Sequence, residues 1–314
     1  MGYRILALDG GGVRGVLTAR LLERIVAERP DFLARVDLFA GTSTGALLAI
    51  GLARGLTPAD LVTLYRQRSK IIFHDTPLDN LRDLGNLAGA RYSTAKRREG
   101  ISPYIGDVTL GDLLPRHVLV ATFLLDSENP LAPAKTGPRT WKAKFYHNFE
   151  GPDSDAHEKA IDVVLRSTAA PTYFPIYQGF IDGGVVANNP SMCALAQALH
   201  PQTGKQQLEN LVLLSLGTGA RPRFISSRNG DWGLGQWGKN LIELLFDAGN
   251  GLADYQCRQL LGDAYLRVNP DLAEPIALDA VAKIDRLVAA ADAYLAQHLP
   301  AVLAWIDARW MAAD

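Results

Sequence analysis

Short apolar runs alternate with glycine turns and helical patterns over the first 70 residues. Tyr3–Leu8 is typical of a short buried strand, and after three glycines apolar residues recur at helical spacing from Val16 to Val26. A second short strand over Asp37–Ala40 ends in another glycine turn, and Ala46–Arg54 continues as a small apolar helix. Alternation of strand, turn and helix is typical of a parallel α/β sheet.

Further strands follow in the middle of the chain, and the C-terminal part has a helical pattern. The additional predicted strands are Val118–Leu125, Lys144–Asn148, Phe180–Ile181 and Leu211–Leu216. A helical stripe runs from Val281 to Leu295, and we expect Pro300 to end it before a last helix whose Trp305 and Trp310 pack in the core. We therefore predict one domain over residues 1–314, with a core of about 3–219 and a helical C-terminal elaboration of about 235–314.

Composition narrows the class of protein. Of 314 residues, 48% are hydrophobic, and 32 basic residues against 33 acidic ones give a net charge of −1. This balance supports a large core and argues against a nucleic-acid polymer as partner. Cys193 and Cys257 are too few for a disulfide scaffold, and no Cys/His cluster has metal-ligand spacing, so we expect no metal. Without a signal-peptide pattern or a long apolar run, the chain is expected to be cytoplasmic and at most peripheral to membranes.

The first glycine turn, Asp9–Gly15, joins a strand to a helix. Its N–H groups can approach an anion closely, so it could bind a phosphate or stabilise an oxyanion. Gly10, Gly12 and Gly15 also satisfy G-x-G-x-x-G, so a dinucleotide site competes. A dinucleotide fold wants an acid at the end of the next strand, whereas Asp37 stands at its start, which weakens that alternative.

The second turn, Gly41–Gly45, has the form G-x-S-x-G of a nucleophile elbow. Glycines at both ends allow a strained turn that projects Ser43, and the N–H of Thr44 can point at the reacting oxygen. The competing interpretation is a Ser/Thr-rich helix cap.

The third turn contains Asp182 between apolar residues, which predicts a carboxylate near the core. A nucleophilic serine needs a base. In an α/β-hydrolase triad the histidine follows the acid in the chain, and only His200 and His298 do so here. Neither lies in a strand-end loop, which leaves Asp182 as the candidate base. A triad with one of these histidines stays the alternative.

Together the three turns resemble the patatin-like phospholipases, which carry D-G-G-G-x-R-G, G-x-S-x-G and D-G-G in this order. The stretch Ser167–Pro175 and the run Asn188–Pro190 fit that family too. The resemblance implies a three-layer α/β fold with a mainly parallel central sheet flanked by helices. It further implies Ser43 as nucleophile and Asp182 as general base, with an oxyanion hole at Gly10, Gly11 and Gly12. Arg14 would orient this loop or meet the lipid phosphate, unless it is a surface cation.

The implied function is a lipid acyl hydrolase of the phospholipase A or lysophospholipase type, acting on phospholipid or other acyl-lipid esters. No metal-ligand set is visible in the sequence, so we expect no cofactor and no calcium requirement. Activation by a small cyclic nucleotide, known in some bacterial members, is left open, as are a homo-oligomer and a non-catalytic lipid- or partner-binding module. Residues 61–100 carry a net charge of +4, which suits either contact with anionic headgroups or a solvated loop.

Overall fold

The computed structural model describes residues 2–74, 89–128, 138–220, 224–226, 230–238 and 240–312. The strands of this part are β1 (Tyr3–Leu8), β2 (Leu38–Thr42), β3 (His117–Leu124), β4 (Lys142–His147), β5 (Phe180–Asp182), β6 (Leu211–Leu216) and β7 (Tyr265–Val268). All seven form one sheet in the order β4-β3-β2-β1-β6-β7, and β5 also pairs with β3. Only β4 and β5 run antiparallel to their neighbour β3, which confirms a mainly parallel sheet.

Helices cover both faces of the sheet, which confirms the three-layer prediction. Along β1, Leu6 and Leu8 face one core, whereas Ile5 and Ala7 face the other, as the two-residue period of a strand requires. The helices are α1 (Gly15–Glu28), α2 (Thr44–Arg54), α3 (Pro58–Ile72), α4 (Thr94–Ile105), α5 (Ala160–Ser167), α6 (Gly184–Ala187), α7 (Ser191–Leu199), α8 (Leu234–Gly238), α9 (Leu241–Leu261) and α10 (Ile284–Trp305). The first core is covered by α1 to α5 and α10, and the second by α7 and α9.

Two strands share one edge of β3, and this brings distant residues together. β4 follows one edge of β3, while β2 pairs with the other edge up to Thr42, which lies opposite Ala121. β5 takes over that second edge, with Asp182 opposite Thr122. The end of β2 and the end of β5 therefore meet at consecutive positions of β3, and Ser43 follows directly after β2.

The C-terminal part differs from the sequence prediction in two ways. The strand Tyr265–Val268 was not predicted, and it pairs in parallel with β6 at the edge of the sheet. The expectation that Pro300 ends a helix is wrong, because α10 continues to Trp305. A proline inside a helix removes one backbone hydrogen bond. The helix nevertheless continues because Leu295 and Val302, on either side of Pro300, are both buried in the core.

The segment Val281–Met311 includes an 18-residue window with a mean hydropathy of 1.3, and 22% of that window is buried. By length and composition alone it could cross a membrane. Its apolar residues are interspersed with polar ones, so its uninterrupted apolar runs are short, as expected from the sequence. In the structure this segment packs on α1, and Arg20 of α1 donates two hydrogen bonds to Asp292.

Replacing Trp310 with Ala is expected to lower the free energy of unfolding by about 3–5 kcal/mol, since it empties a filled core site. Trp310 is fully buried and stacks on Phe32 with ring centroids 4.9 Å apart. Urea denaturation followed by circular dichroism measures the change. The matched control is Trp141→Ala, at a ring that is 70% exposed, with an expected change within about 0.5 kcal/mol. Equal effects of the two substitutions would contradict the buried position of Trp310.

Candidate active site

Ser43 occupies a strained turn between β2 and α2. Its backbone has φ 55° and ψ −122°, a left-handed conformation that is uncommon outside glycine. The turn is held from outside: Ser43 N–H donates to Ser167 Oγ over 2.8 Å, and Ser167 Oγ donates to Ala121 O over 2.7 Å. This is the local geometry expected of a nucleophile elbow.

The two glycines of the elbow are required by close backbone approach. A Cβ on Gly45 would lie 2.0 Å from Leu8 O, and a Cβ on Gly41 would lie 2.1 Å from Gly45 O. No larger residue fits at either position without moving β1 or the turn itself. The structure therefore places both predicted elbow glycines where a side chain is excluded.

Asp182 lies beside Ser43 in a fully buried position. Ser43 Oγ donates to Asp182 Oδ2 over 2.6 Å, and Gly184 N–H donates to Oδ1 over 2.8 Å. Burial raises the pKa of Asp182 to about 7, against the lowering effects of these two hydrogen bonds and of the Arg97 charge. A carboxylate with such a pKa is a far better base near neutral pH than an exposed aspartate.

The histidines of the triad alternative lie elsewhere. His200 Nδ1 contacts Thr203 Oγ1 at 3.2 Å, and the His298 ring packs on Tyr294 with centroids 4.3 Å apart. Within the described residues, neither histidine makes a hydrogen bond to Ser43 or Asp182. The geometry therefore gives the Ser–His–Asp alternative no support.

The first glycine turn approaches Ser43 and is held by bonds at Gly10. Gly10 N–H donates to Asn188 O over 3.0 Å, and Thr218 Oγ1 donates to Gly10 O over 2.9 Å. Because its N–H is already used, the expectation that Gly10 donates to an oxyanion is wrong, and Gly10 shapes the loop instead. The N–H groups of Gly11 and Gly12 donate to no other group in the described part of the chain.

Gly12 needs its own residue type. Its φ is +60°, and a Cβ there would lie 2.2 Å from Leu278 O. The same carbonyl accepts the N–H of Val13 over 2.8 Å. A loop near the C-terminus thus fixes the path of the first glycine turn, a contact that no local sequence pattern could reveal.

Arg14 is buried rather than a surface cation, since only 3% of it is exposed. Its Nε donates to Gly11 O over 3.3 Å and its Nη1 to Gly219 O over 3.1 Å. These contacts hold the first glycine turn in position and tie it to Gly219. A second arginine, Arg267 on β7, forms a buried ion pair with Asp9 at the start of the loop. Sequence reasoning missed Arg267 because it lies about 250 residues from its partner.

Thr44 opens α2 beside the nucleophile. The first N–H groups of a helix have no partner inside it, and the helix dipole adds positive potential there. Thr44 Oγ1 forms a short hydrogen bond with Tyr65 OH, which fixes the first turn of α2 against α3. Gly12 and Thr44 line the same cavity as Ser43, and N–H groups at such positions can donate to a developing negative charge.

The dinucleotide alternative also fails on geometry. Asp37 stands at the amino end of β2, where it accepts the N–H of Arg4 over 2.7 Å. The glycine turn lies after Leu8, at the carboxyl end of β1. A ribose next to the turn would therefore be at the other end of the sheet from this carboxylate.

A narrow cavity of about 50 Å³ opens beside Ser43. Its wall is mostly apolar and includes Leu47, Tyr65, Phe73, Arg97, Phe174 and Leu278. This volume holds only a few water molecules.

Several basic residues of the positively charged segment 61–100 form ion pairs. Arg91 bonds Asp279 over 2.6 Å, Lys96 bonds Glu99 over 2.8 Å, and Arg98 pairs with Asp162. Residues 75–88 of this segment lie outside the described part of the chain. Contact with anionic headgroups and a solvated loop therefore both stay predictions for residues 61–100.

Comparisons with known proteins point to one family. The family model described as "Patatin-like phospholipase" matches residues 6–195, more than half of the chain and all three glycine turns. A "cGAMP-activated phospholipase" of Pseudomonas aeruginosa is 34% identical, over 91% of this chain and 83% of its own length. "Patatin-like protein 4" of Arabidopsis thaliana is 26% identical, over 85% and 76%.

Two further proteins are more distant. The "85/88 kDa calcium-independent phospholipase A2" of Mus musculus is 26% identical, over 88% of this chain and 36% of its own length. Among solved structures, the ExoU–SpcU complex of Pseudomonas aeruginosa matches with a TM-score of 0.43 and 13% identity, over 95% of this chain and 51% of that chain. The family match and the 34% identity over nearly the whole chain decide the assignment: this chain belongs to the patatin-like phospholipases, hydrolases that act on lipid esters.

Proposed function

We propose that the chain cleaves fatty-acyl esters of phospholipids with a Ser43–Asp182 dyad through an acyl-enzyme. The observation that carries this proposal is the 2.6 Å hydrogen bond from Ser43 Oγ to the buried carboxylate of Asp182. The strained backbone of Ser43 and the unused N–H groups beside it support the same chemistry.

The reaction runs in two halves. Ser43 Oγ attacks the ester carbonyl while its proton passes to Asp182 Oδ2, and the N–H groups of Gly11, Gly12 and Thr44 bind the oxyanion. Collapse of this intermediate expels the lipid alcohol, which takes the proton from Asp182. Water then attacks the acyl-enzyme and gives its proton to Asp182, and Ser43 Oγ recovers that proton as the fatty acid leaves.

We also propose that α9 contacts the lipid surface. Phe246 on its inner face is buried and packs near Gly184, next to Asp182. Its outer face carries large apolar side chains that are exposed in the structure, namely Leu241, Leu244, Leu245, Leu252 and Tyr255. An apolar face of this kind suits the peripheral binding of a membrane close to the catalytic end of the sheet.

We propose that no metal or other cofactor takes part. Among the described residues, no group of three or more His, Cys, Asp or Glu is arranged to hold a metal ion. The name of the calcium-independent mouse relative supports the same proposal.

Ser43→Ala and Asp182→Asn are each expected to reduce fatty-acid release from phospholipid vesicles by roughly 10⁴-fold or more, because each removes one half of the dyad. Fatty-acid release is measured with circular dichroism as the check on folding. The control is Asp107→Asn, at an exposed carboxylate that pairs with Lys159, and its rate should equal that of the wild type.

Survival of hydrolysis in both folded dyad variants would overturn the assignment. Wild-type protein that releases no fatty acid and whose Ser43 is not labelled by a fluorophosphonate would instead point to a non-catalytic lipid-binding module.

The pH profile of kcat/KM should rise with one apparent pKa of about 7 and then level off. Asp182 accepts the Ser43 proton only when it is ionised, and burial raises its pKa to about 7. Hydrolysis of a neutral soluble ester between pH 4 and 9 measures the profile, since such a substrate does not titrate in this range. A half-maximal rate near pH 4 would show that this carboxylate is solvated like an ordinary aspartate, contrary to its burial.

As a second candidate, we propose that a cyclic dinucleotide switches the hydrolase on. The name of the Pseudomonas relative supports such regulation. Addition of cGAMP to the enzyme on phospholipid vesicles should then raise fatty-acid release at least about tenfold, which corresponds to a coupling within the usual range. The same release with and without cGAMP, from a preparation that hydrolyses a soluble ester, would overturn this proposal.

A further inference from the structure

Arg97 of α4 is a buried cation in the wall of the catalytic cavity. Only 1% of the residue is exposed, and it lines the same narrow cavity as Ser43. Its guanidinium carbon lies 4.5 Å from the centre of the Phe174 ring, within the range of a cation–π contact. This contact holds the guanidinium in the wall of the cavity that Ser43 also lines.

The polar atoms of Arg97 lack partners. Within the described residues, no hydrogen bond reaches its Nε, Nη1 or Nη2, although all three atoms are buried. Its neighbours on α4 behave differently, since Lys96 and Arg98 are both ion-paired. Burial lowers the pKa of Arg97 to about 10, so the group is still charged at neutral pH.

Such an arrangement destabilises the free protein. An arginine presents five N–H donors, and leaving buried donors unsatisfied costs free energy, more so when the group is charged. A buried charge without a partner persists most readily where a ligand supplies that partner. The cavity is otherwise lined mostly by apolar groups, so the missing partner is an anion that enters with the substrate.

We infer that Arg97 binds the phosphodiester group of a glycerophospholipid whose ester carbonyl lies at Ser43. This inference rests on the proposed function. In such a lipid the phosphate is only a few covalent bonds from an acyl ester, so a cation in the wall of the nucleophile's own cavity is within reach. The planar guanidinium matches two phosphate oxygens at once, and the apolar surroundings strengthen the pair.

Two other roles compete, and both can be separated from phosphate binding. Arg97 also lowers the pKa of Asp182 through its charge, so it could act on the base rather than on the substrate. Its anion could alternatively be the carboxylate of the released fatty acid. The first role affects every ester equally, and the second appears as product inhibition.

The test compares phosphatidylcholine with diacylglycerol of the same acyl chains, each in mixed micelles of one neutral detergent. In Arg97→Gln, the ratio of kcat/KM for phosphatidylcholine to kcat/KM for diacylglycerol should fall about 10- to 100-fold, as expected for loss of a charge-assisted pair. The matched control is Lys96→Gln, which removes an exposed charge from the same helix and should leave the ratio unchanged.

Other outcomes overturn the inference. An equal loss on both lipids, with the pH profile shifted upward, assigns Arg97 to the base. An unchanged ratio, with relief of inhibition by dodecanoate, assigns it to the product carboxylate. A wild-type enzyme that hydrolyses neither lipid, with or without added cGAMP, refutes the proposed function, and this inference falls with it.

Thermal unfolding guards against a purely structural role. Arg97→Met removes a buried charge that has no hydrogen-bond partner and keeps a side chain that packs on Phe174, so its melting temperature should equal or exceed that of the wild type. A lower melting temperature in both Arg97→Met and Arg97→Gln would mark Arg97 as a structural cation and overturn the inference.

Discussion

The hydrogen bond between Ser43 and Asp182 joins two segments that are 139 residues apart in the chain. It forms because β2 and β5 meet end to end on one edge of β3, and each strand delivers its side chain at its last position or just beyond it. The carboxylate is fully buried there, so the serine hydroxyl and the Gly184 N–H replace water around it. The surrounding structure serves to hold these two ends in place.

Strain and close packing accompany this arrangement. Ser43 is held in a left-handed conformation, which has a cost of order 1–3 kcal/mol that neighbouring contacts must offset. The bond from Ser43 N–H to Ser167 provides one such contact, and the approach of Gly45 to Leu8 O leaves the turn no other path. Stability is thus given up locally to fix Ser43, the proposed nucleophile, in one position.

Local patterns in the sequence predicted most of the fold and the centre of the site. Strand–glycine–helix alternation identified β1, β2 and the two turns after them, because a backbone that bends sharply requires glycine at fixed positions. Ser43 was proposed from the glycines around it, and Asp182 from its apolar neighbours and the lack of a suitably placed histidine. Contacts across the fold were not predictable: Leu278 and Arg267 hold the first glycine turn from far along the chain. The continuation of α10 through Pro300 depends on core packing, which local helix propensity does not describe. The net positive charge of residues 61–100 likewise gave no sign that Arg97 is buried.

The contact between Leu278 O and the first glycine turn makes the C-terminal part of the chain necessary for the shape of that turn. All three glycine motifs lie before residue 185, yet the turn that carries the proposed oxyanion donors is braced by residues 267 and 278. The motifs therefore do not delimit a minimal enzyme. A fragment that ends after β6 would keep all three motifs and lose the contacts that shape the first glycine turn, so a cut in the C-terminal third is expected to abolish activity without touching a motif.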